Sequence, residues 1–310
     1  MHMAIDRRFM GVWFLALALL FGGASGALAK VRVVATTADL GALVRAVGGD
    51  EVEVTVLAEP SEDPHYVDPR PSFLVALSRA ELLVANGLEL EVGWLPPLLV
   101  NARNPKILVG ATGFLDASTL VKRVLGVPRG QVDRAMGDIH QGGNPHYTTS
   151  PFAMADVARG LVTPLSRLLP ASREALSQRA EAVATRLTQL ATSWRQRFDA
   201  LDSARRRVVV YHESYPYLLD WLGLVQVAAV ENKPGIKPSP AHVADVMRAM
   251  RAQGVKVILQ EEWHADATSK TLARLTSGVV VTLPGGARAG QTIEAHVEAV
   301  ARRVYDAVSR

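Results

Sequence analysis

The 310-residue chain contains no cysteine. Disulfides are therefore excluded, and stability has to come from a hydrophobic core, which a chain of this length can supply. No thiol near residue 29 is available to carry a lipid anchor. Beyond that point no apolar run is long enough to cross a bilayer. Neither sign of charge dominates. Lys and Arg number 34 against 30 Asp and Glu, for a formal net charge of +4, and the single dense run, Arg205, Arg206 and Arg207, borders a strand-like stretch. Charge scattered in this way marks a solvated surface and not a nucleic-acid site. The His-Glu-x-x-His and His-x-His spacings of hydrolytic zinc sites are missing as well.

What is present starts with a leader pattern. Arg7 and Arg8 precede an apolar stretch over 9–23, and Ala-Leu-Ala at 27–29 offers small residues for cleavage. That order predicts a secretory signal peptide over 1–29 and a soluble, unanchored protein in an exported compartment, the periplasm.

After residue 29 strand-like and helix-like segments alternate. Strands are predicted at 31–37, 52–58, 81–87 and 106–110, with helices over 40–49 and 89–102. A second series repeats the plan, with strands at 207–213, 225–231, 255–262 and 278–283 and helices at 217–224, 239–254, 266–276 and from 291 onward. An offset of 175 sets Val33 against Val208, Leu43 against Leu218 and Gly48 against Gly223. Such alternation predicts an α/β protein of two doubly wound, Rossmann-like lobes with parallel sheets. Between the two series, Leu176, Val183, Leu187, Leu190, Trp194, Phe198 and Leu201 recur every three, four or seven residues. That spacing makes one apolar stripe on one long, rigid helix joining the lobes. The expected divisions are a leader (1–29), an N-terminal lobe (30–171), a spine helix (172–203) and a C-terminal lobe (204–310).

Pro-His-Tyr occurs twice, at 64–66 and 145–147, each time in a Pro- and Gly-rich loop, and His212 ends the strand-like Val-Val-Val-Tyr-His run. In open α/β sheets ligands bind at the carboxyl ends of strands, which places His65, His146 and His212 toward one inter-lobe cleft. Three imidazoles suit Zn²⁺. A proline before His65 and before His146 stiffens both mounts, and Tyr66 and Tyr147 stand ready to wall the site. Each of these histidines taken singly is an ordinary core or surface residue, and the metal reading rests on the three together. The other histidines are expected elsewhere: His140 exposed in a Gly loop with a role in capture open to it, His242 structural, His264 and His296 on the surface, and His2 within the leader. Trp94, Trp221 and Trp263 are expected in packing, although a binder of an organic ligand would use such residues to line its cleft.

The stretches DPHYVDPRPS (63–72), GNPHYTTSP (143–151), VVVYHESYPYLLDWLGL (208–224) and ENKPGIKPSPAH (231–242) resemble the zinc/manganese solute-binding proteins of bacterial metal ABC transporters, the ZnuA/TroA-like group. The resemblance runs through nearly the whole chain after the leader. It implies that His65, His146 and His212 are metal ligands, that the long helix is the inter-lobe spine, and that the metal is passed to a membrane permease by a monomeric, non-enzymatic protein. In two respects the chain departs from the group. A late acidic ligand has no counterpart in VVVTLPGGARAG (279–290), which leaves the fourth position to Glu261 or to solvent, with Glu262, Glu213 and Glu62 as weaker alternatives. A His-rich insertion before the second ligand loop is reduced to His-Gln-Gly-Gly (140–143). His212 stands where manganese-type members tend to carry Glu, so Zn²⁺ is expected ahead of Mn²⁺, which prefers carboxylate oxygen. A zinc hydrolase with metal-bound water and Glu213 as base is the enzymatic alternative.

Overall fold

β-Branched and aliphatic runs pair in parallel to make the first sheet. In the computed structural model, which describes residues 29–131, 140–233 and 235–310, these strands are β1 (Val31–Ala35), β2 (Val52–Val56), β3 (Leu82–Ala85) and β4 (Phe114–Asp116), in the order β2-β1-β3-β4. The second sheet uses β5 (Arg207–Val210), β6 (Val225–Ala229), β7 (Val257–Glu261) and β8 (Val279–Leu283), in the order β6-β5-β7-β8. All the pairings are parallel and the two orders match, so each half is a doubly wound lobe with the same plan. The stretch expected to be a signal peptide, apart from Ala29, lies outside the described residues. Among those described, no helix is long and apolar enough to cross a membrane.

Helices flank both sheets: α1 (Ala38–Gly48), α2 (Pro71–Arg79), α3 (Leu95–Ala102), α4 (Pro151–Gly160), α5 (Val162–Leu168), α6 (Arg173–Asp199), α7 (Pro216–Leu222), α8 (Pro240–Gln253), α9 (Ala267–Thr276) and α10 (Ile293–Val308). Their starts follow ordinary capping chemistry. Ser150, Ser239 and Thr292 each accept a backbone N–H in the first turn, and Pro151 and Pro240 open α4 and α8, where a missing N–H costs nothing.

α6 is the predicted spine. Its 27 residues span about 40 Å at 1.5 Å per residue. Leu176, Val183, Leu187, Trp194 and Phe198 are buried on one face, joined by Ala180, Ala184 and Ala191. That face packs on α4, α1, α10 and α7, and one continuous apolar cluster runs through both lobes around it. A connector buried along its length resists bending, because any hinge within it would expose core.

Two local expectations fail. The stretch 106–110 is not a strand: 105–107 is a single 3₁₀ turn, and pairing with β3 begins only at Phe114. The helix expected over 89–102 starts at Leu95. Before it, Leu88 and Glu89 take positive φ, and Glu91 accepts the N–H groups of Asn86 and Gly87 at 2.6 and 3.1 Å, so the chain turns before it can coil. Gly87, at φ +82°, has no room for a side chain, since a Cβ there would meet Asp116 Oδ1.

Candidate metal centre

Each of the two Pro-His-Tyr loops is held by the residue two places before its histidine. The Asp63 carboxylate oxygen Oδ1 accepts His65 N–H at 3.0 Å and pairs with the ring Nδ1 at 2.8 Å. Asn144 Oδ1 repeats this for His146, with both contacts at 3.0 Å. Its Nδ2 donates to the Glu213 carbonyl at 2.7 Å, which fixes the orientation of the amide and ties the loop to the other lobe. One side-chain oxygen thus sets both backbone and ring in each loop. With proline between, Asp-Pro-His-Tyr and Asn-Pro-His-Tyr are the same mount built twice.

The third histidine is mounted differently. His212 lies two residues beyond β5, and its Nδ1 meets Glu231 Oε2 at 2.9 Å. Glu231 follows β6, is buried, and also accepts Gly235 N–H at 2.9 Å. In all three rings an oxygen acceptor takes Nδ1–H, which leaves Nε2 with its lone pair outward, the form that ligates metal. Potential ligand atoms of His65, His146 and His212 lie within 4.8 Å of one another. Ring centroids are 5.1, 5.8 and 5.7 Å apart, and the Nε2 atoms of His65 and His146 are buried without a hydrogen-bond partner.

The electrostatics divide the rings. Burial, then the neighbouring His65 and His212 rings, holds His146 well below the ordinary imidazole range. Burial would lower His212 too, but the Glu231 hydrogen bond and the charges of Glu261, Glu231 and Asp63 outweigh it and raise the ring. Asp63 sits below the usual carboxylate range although it is largely buried, because His65 bonds to it. Burial pushes Glu261 up to about 7.

The other predicted residues are placed as follows. Glu261 is buried at the end of β7, near enough to His212 to influence its charge, but it is not part of the group of mutually close ligand atoms. His140, expected to be exposed, is buried and stacks on His65 with centroids 5.5 Å apart. His296 is also buried rather than on the surface, with Nε2 3.8 Å from Asp39. His264 is only partly exposed and packs on Tyr211. His242 is structural as expected, contacting the Ala229 carbonyl through Nε2. The two tyrosines part ways: Tyr147 is fully buried and donates to the Asn86 carbonyl, whereas Tyr66 is 64% exposed. Trp94 and Trp221 are packed, and each donates to a loop carbonyl beside a ligand loop, Pro64 and Thr149 respectively. Sequence reasoning passed over Asp63, Asn144 and Glu231. The first two carry a readable mark, an Asx residue two places before each Pro-His-Tyr.

A cleft adjoins His146, with Asn86, Tyr215, Trp221, Glu261 and Trp263 also among its lining. Two parallel-sheet lobes on one rigid helix, with a site between them, define the class of two-lobed α/β binding proteins. The family profile described as zinc-uptake complex component A, periplasmic (ZnuA), matches residues 33–306. The chain belongs to that family, which comprises solute-binding proteins for metal transport and not enzymes.

Among its relatives, the zinc-binding lipoprotein AdcA of Streptococcus pneumoniae is 24% identical over 252 residues, covering 79% of this chain. The chain spans about half of that relative, 48% of its length. The manganese ABC transporter substrate-binding lipoprotein PsaA of the same species is 21% identical over 253 residues, 80% of this chain and 77% of PsaA. Among solved structures, a zinc-bound ZnuA deletion mutant superposes with a TM-score of 0.76 at 23% identity, covering 91% of this chain and 99% of that one. FpvC of Pseudomonas aeruginosa in complex with Mn²⁺ gives 0.71 at 25% identity, over 90% and 97% of the respective chains.

Proposed function

We propose that this protein captures Zn²⁺ outside the cytoplasm, as a periplasmic solute-binding protein, and hands it to an ABC-type permease. The observation that carries the reading is the convergence of His65, His146 and His212, each ring oriented by an oxygen at Nδ1. The three Nε2 atoms hold the ion, and solvent takes the fourth position because Glu261 stands outside the ligand group. Three neutral nitrogens suit the borderline ion Zn²⁺ better than Mn²⁺. Manganese is the second reading, favoured by the match to a relative named for that metal. The family and the missing His-Glu-x-x-His spacing weigh against the hydrolase alternative. Arrival as a monomer and docking on a permease belong to the same proposal.

The test is equilibrium dialysis of tag-free, demetallated protein against zinc, manganese and their mixtures. One tight equivalent of zinc that outcompetes manganese is expected, lost in His65→Ala, His146→Ala and His212→Ala. Undiminished binding in those variants would refute the ligand set, and a preference for manganese would reverse the choice of ion.

A further inference from the structure

The prolines that precede His65 and His146 are each held by a side-chain donor, and both donors come from one short segment. Asn86 Nδ2 donates to the Pro145 carbonyl at 3.0 Å, and Trp94 Nε1 donates to the Pro64 carbonyl at 2.9 Å. Both donor residues are buried. Asn86 opens the segment directly after β3, and Trp94 closes it directly before α3. Tyr147 OH adds a bond from the second ligand loop back to the Asn86 carbonyl at 2.7 Å.

The segment is strained. Gly87, Leu88 and Glu89 take φ of 82°, 51° and 64° in succession, a conformation that costs a residue as bulky as leucine. Strain of this kind persists only where the surroundings enforce it, and it gathers at functional sites. Glu91 does the enforcing. Its buried carboxylate accepts Asn86 N–H at 2.6 Å through Oε1 and Gly87 N–H at 3.1 Å through Oε2. Its carbonyl accepts Trp94 N–H at 3.1 Å and Leu95 N–H at 2.9 Å. One residue thus locks both ends of the segment. Thr36 Oγ1, just beyond β1, shares the Asn86 N–H at 3.0 Å and ties the turn to the sheet.

We propose that the Asn86–Trp94 segment is a caliper that sets the spacing between His65 and His146, with Glu91 as the positioning residue that fixes it and so enforces the preference for zinc over manganese. Zn–N bonds of ~2.0–2.1 Å in a tetrahedral shell require nitrogens roughly 3.3–3.4 Å apart. Two loops held at one separation keep that geometry, whereas loosened loops admit the octahedral shell that Mn²⁺ takes. Glu91 acts through the prolines and is not among the mutually close ligand atoms. The inference rests on the three-histidine reading and deepens it, by assigning ion selectivity to a residue outside the ligand set.

The experiment compares tag-free, demetallated wild type with Glu91→Gln and Trp94→Phe. Chelator competition gives Zn²⁺ and Mn²⁺ affinities, Co²⁺ absorption reports coordination geometry, and thermal unfolding reports stability. Gln keeps the size of Glu91 but sets an NH₂ group against a backbone N–H, and Phe deletes the donor to Pro64. In Glu91→Gln zinc affinity should fall about tenfold and manganese affinity by less than about threefold, as for a lost orienting partner. The intense visible band of tetrahedral Co²⁺ should weaken in parallel. Trp94→Phe should move the same quantities in the same direction, since it frees the His65 loop alone. A folded variant of either kind with a lower Tm but an unchanged zinc-to-manganese ratio and Co²⁺ spectrum would overturn the proposal, leaving the segment a purely structural role. If Glu91→Gln does not fold, Trp94→Phe decides by itself. A wild type that lacks a tight zinc equivalent, or prefers manganese, would instead refute the reading beneath the proposal and take the proposal with it.

Discussion

Glu231→Gln isolates what a buried charge behind a ligand contributes. The substitution keeps an acceptor for His212 Nδ1–H and removes the negative charge 2.9 Å from it. From that oxygen, across the ring and a Zn–N bond of ~2.0–2.1 Å, the ion is roughly 7 Å away. At an effective dielectric near 20, a unit charge and a divalent ion at roughly that distance attract by about 5 kcal/mol. The amide dipole and water recover part of this, and losing an orienting partner of a ligating histidine generally weakens metal binding about 10–100-fold. The expected loss at neutral pH is therefore tenfold or more, about 1.4–2.7 kcal/mol. The pH dependence has a definite sign. Glu231 raises His212, so in the wild type a proton competes with the metal at this ring up to a higher pH than at an ordinary imidazole. Glu231→Gln eases that competition, and the gap between variant and wild type should narrow as pH falls. The assay is zinc competition with a chromophoric chelator from pH 6 to 8, with circular dichroism to verify folding. Affinity within threefold of wild type at pH 7.5, or a gap that widens toward low pH, would refute the reasoning.

Three further outcomes are expected. Wild-type zinc affinity should fall as pH drops and begin to do so above ~6.5, the ordinary imidazole value, because His212 is raised and takes a proton in competition with the metal; a decline starting only well below pH 6 in the same chelator assay would contradict this. Asp63→Ala and Asn144→Ala should each weaken zinc binding about tenfold or more by freeing a ring, and Asn144→Ala should also lower thermal stability by severing the bond to the Glu213 carbonyl, read by calorimetry without metal. Leu187→Ala, at a fully buried position on α6, should cost about 2–5 kcal/mol in urea unfolding while leaving zinc stoichiometry unchanged.

Periodicity and punctuation carried the fold a long way. The alternation of β-branched runs with amphipathic stretches, together with the stripe from Leu176 to Phe198, was enough for two parallel-sheet lobes and a spine, because hydrophobic pattern is local information that survives in one dimension. It misplaced β4 because Lys106–Gly110 is as strand-like as Phe114–Asp116, and pairing with β3, a contact between distant segments, chose between them. Histidine, proline and strand ends likewise singled out His65, His146 and His212. What composition and spacing left open was everything dependent on side chains from elsewhere in the chain. Burial of His140 against His65 and the Glu231 carboxylate behind His212 both bring together residues far apart in the chain. Residue types set which atoms can bind a metal; the packing of remote segments sets which of them meet, how they are oriented and what charge they carry.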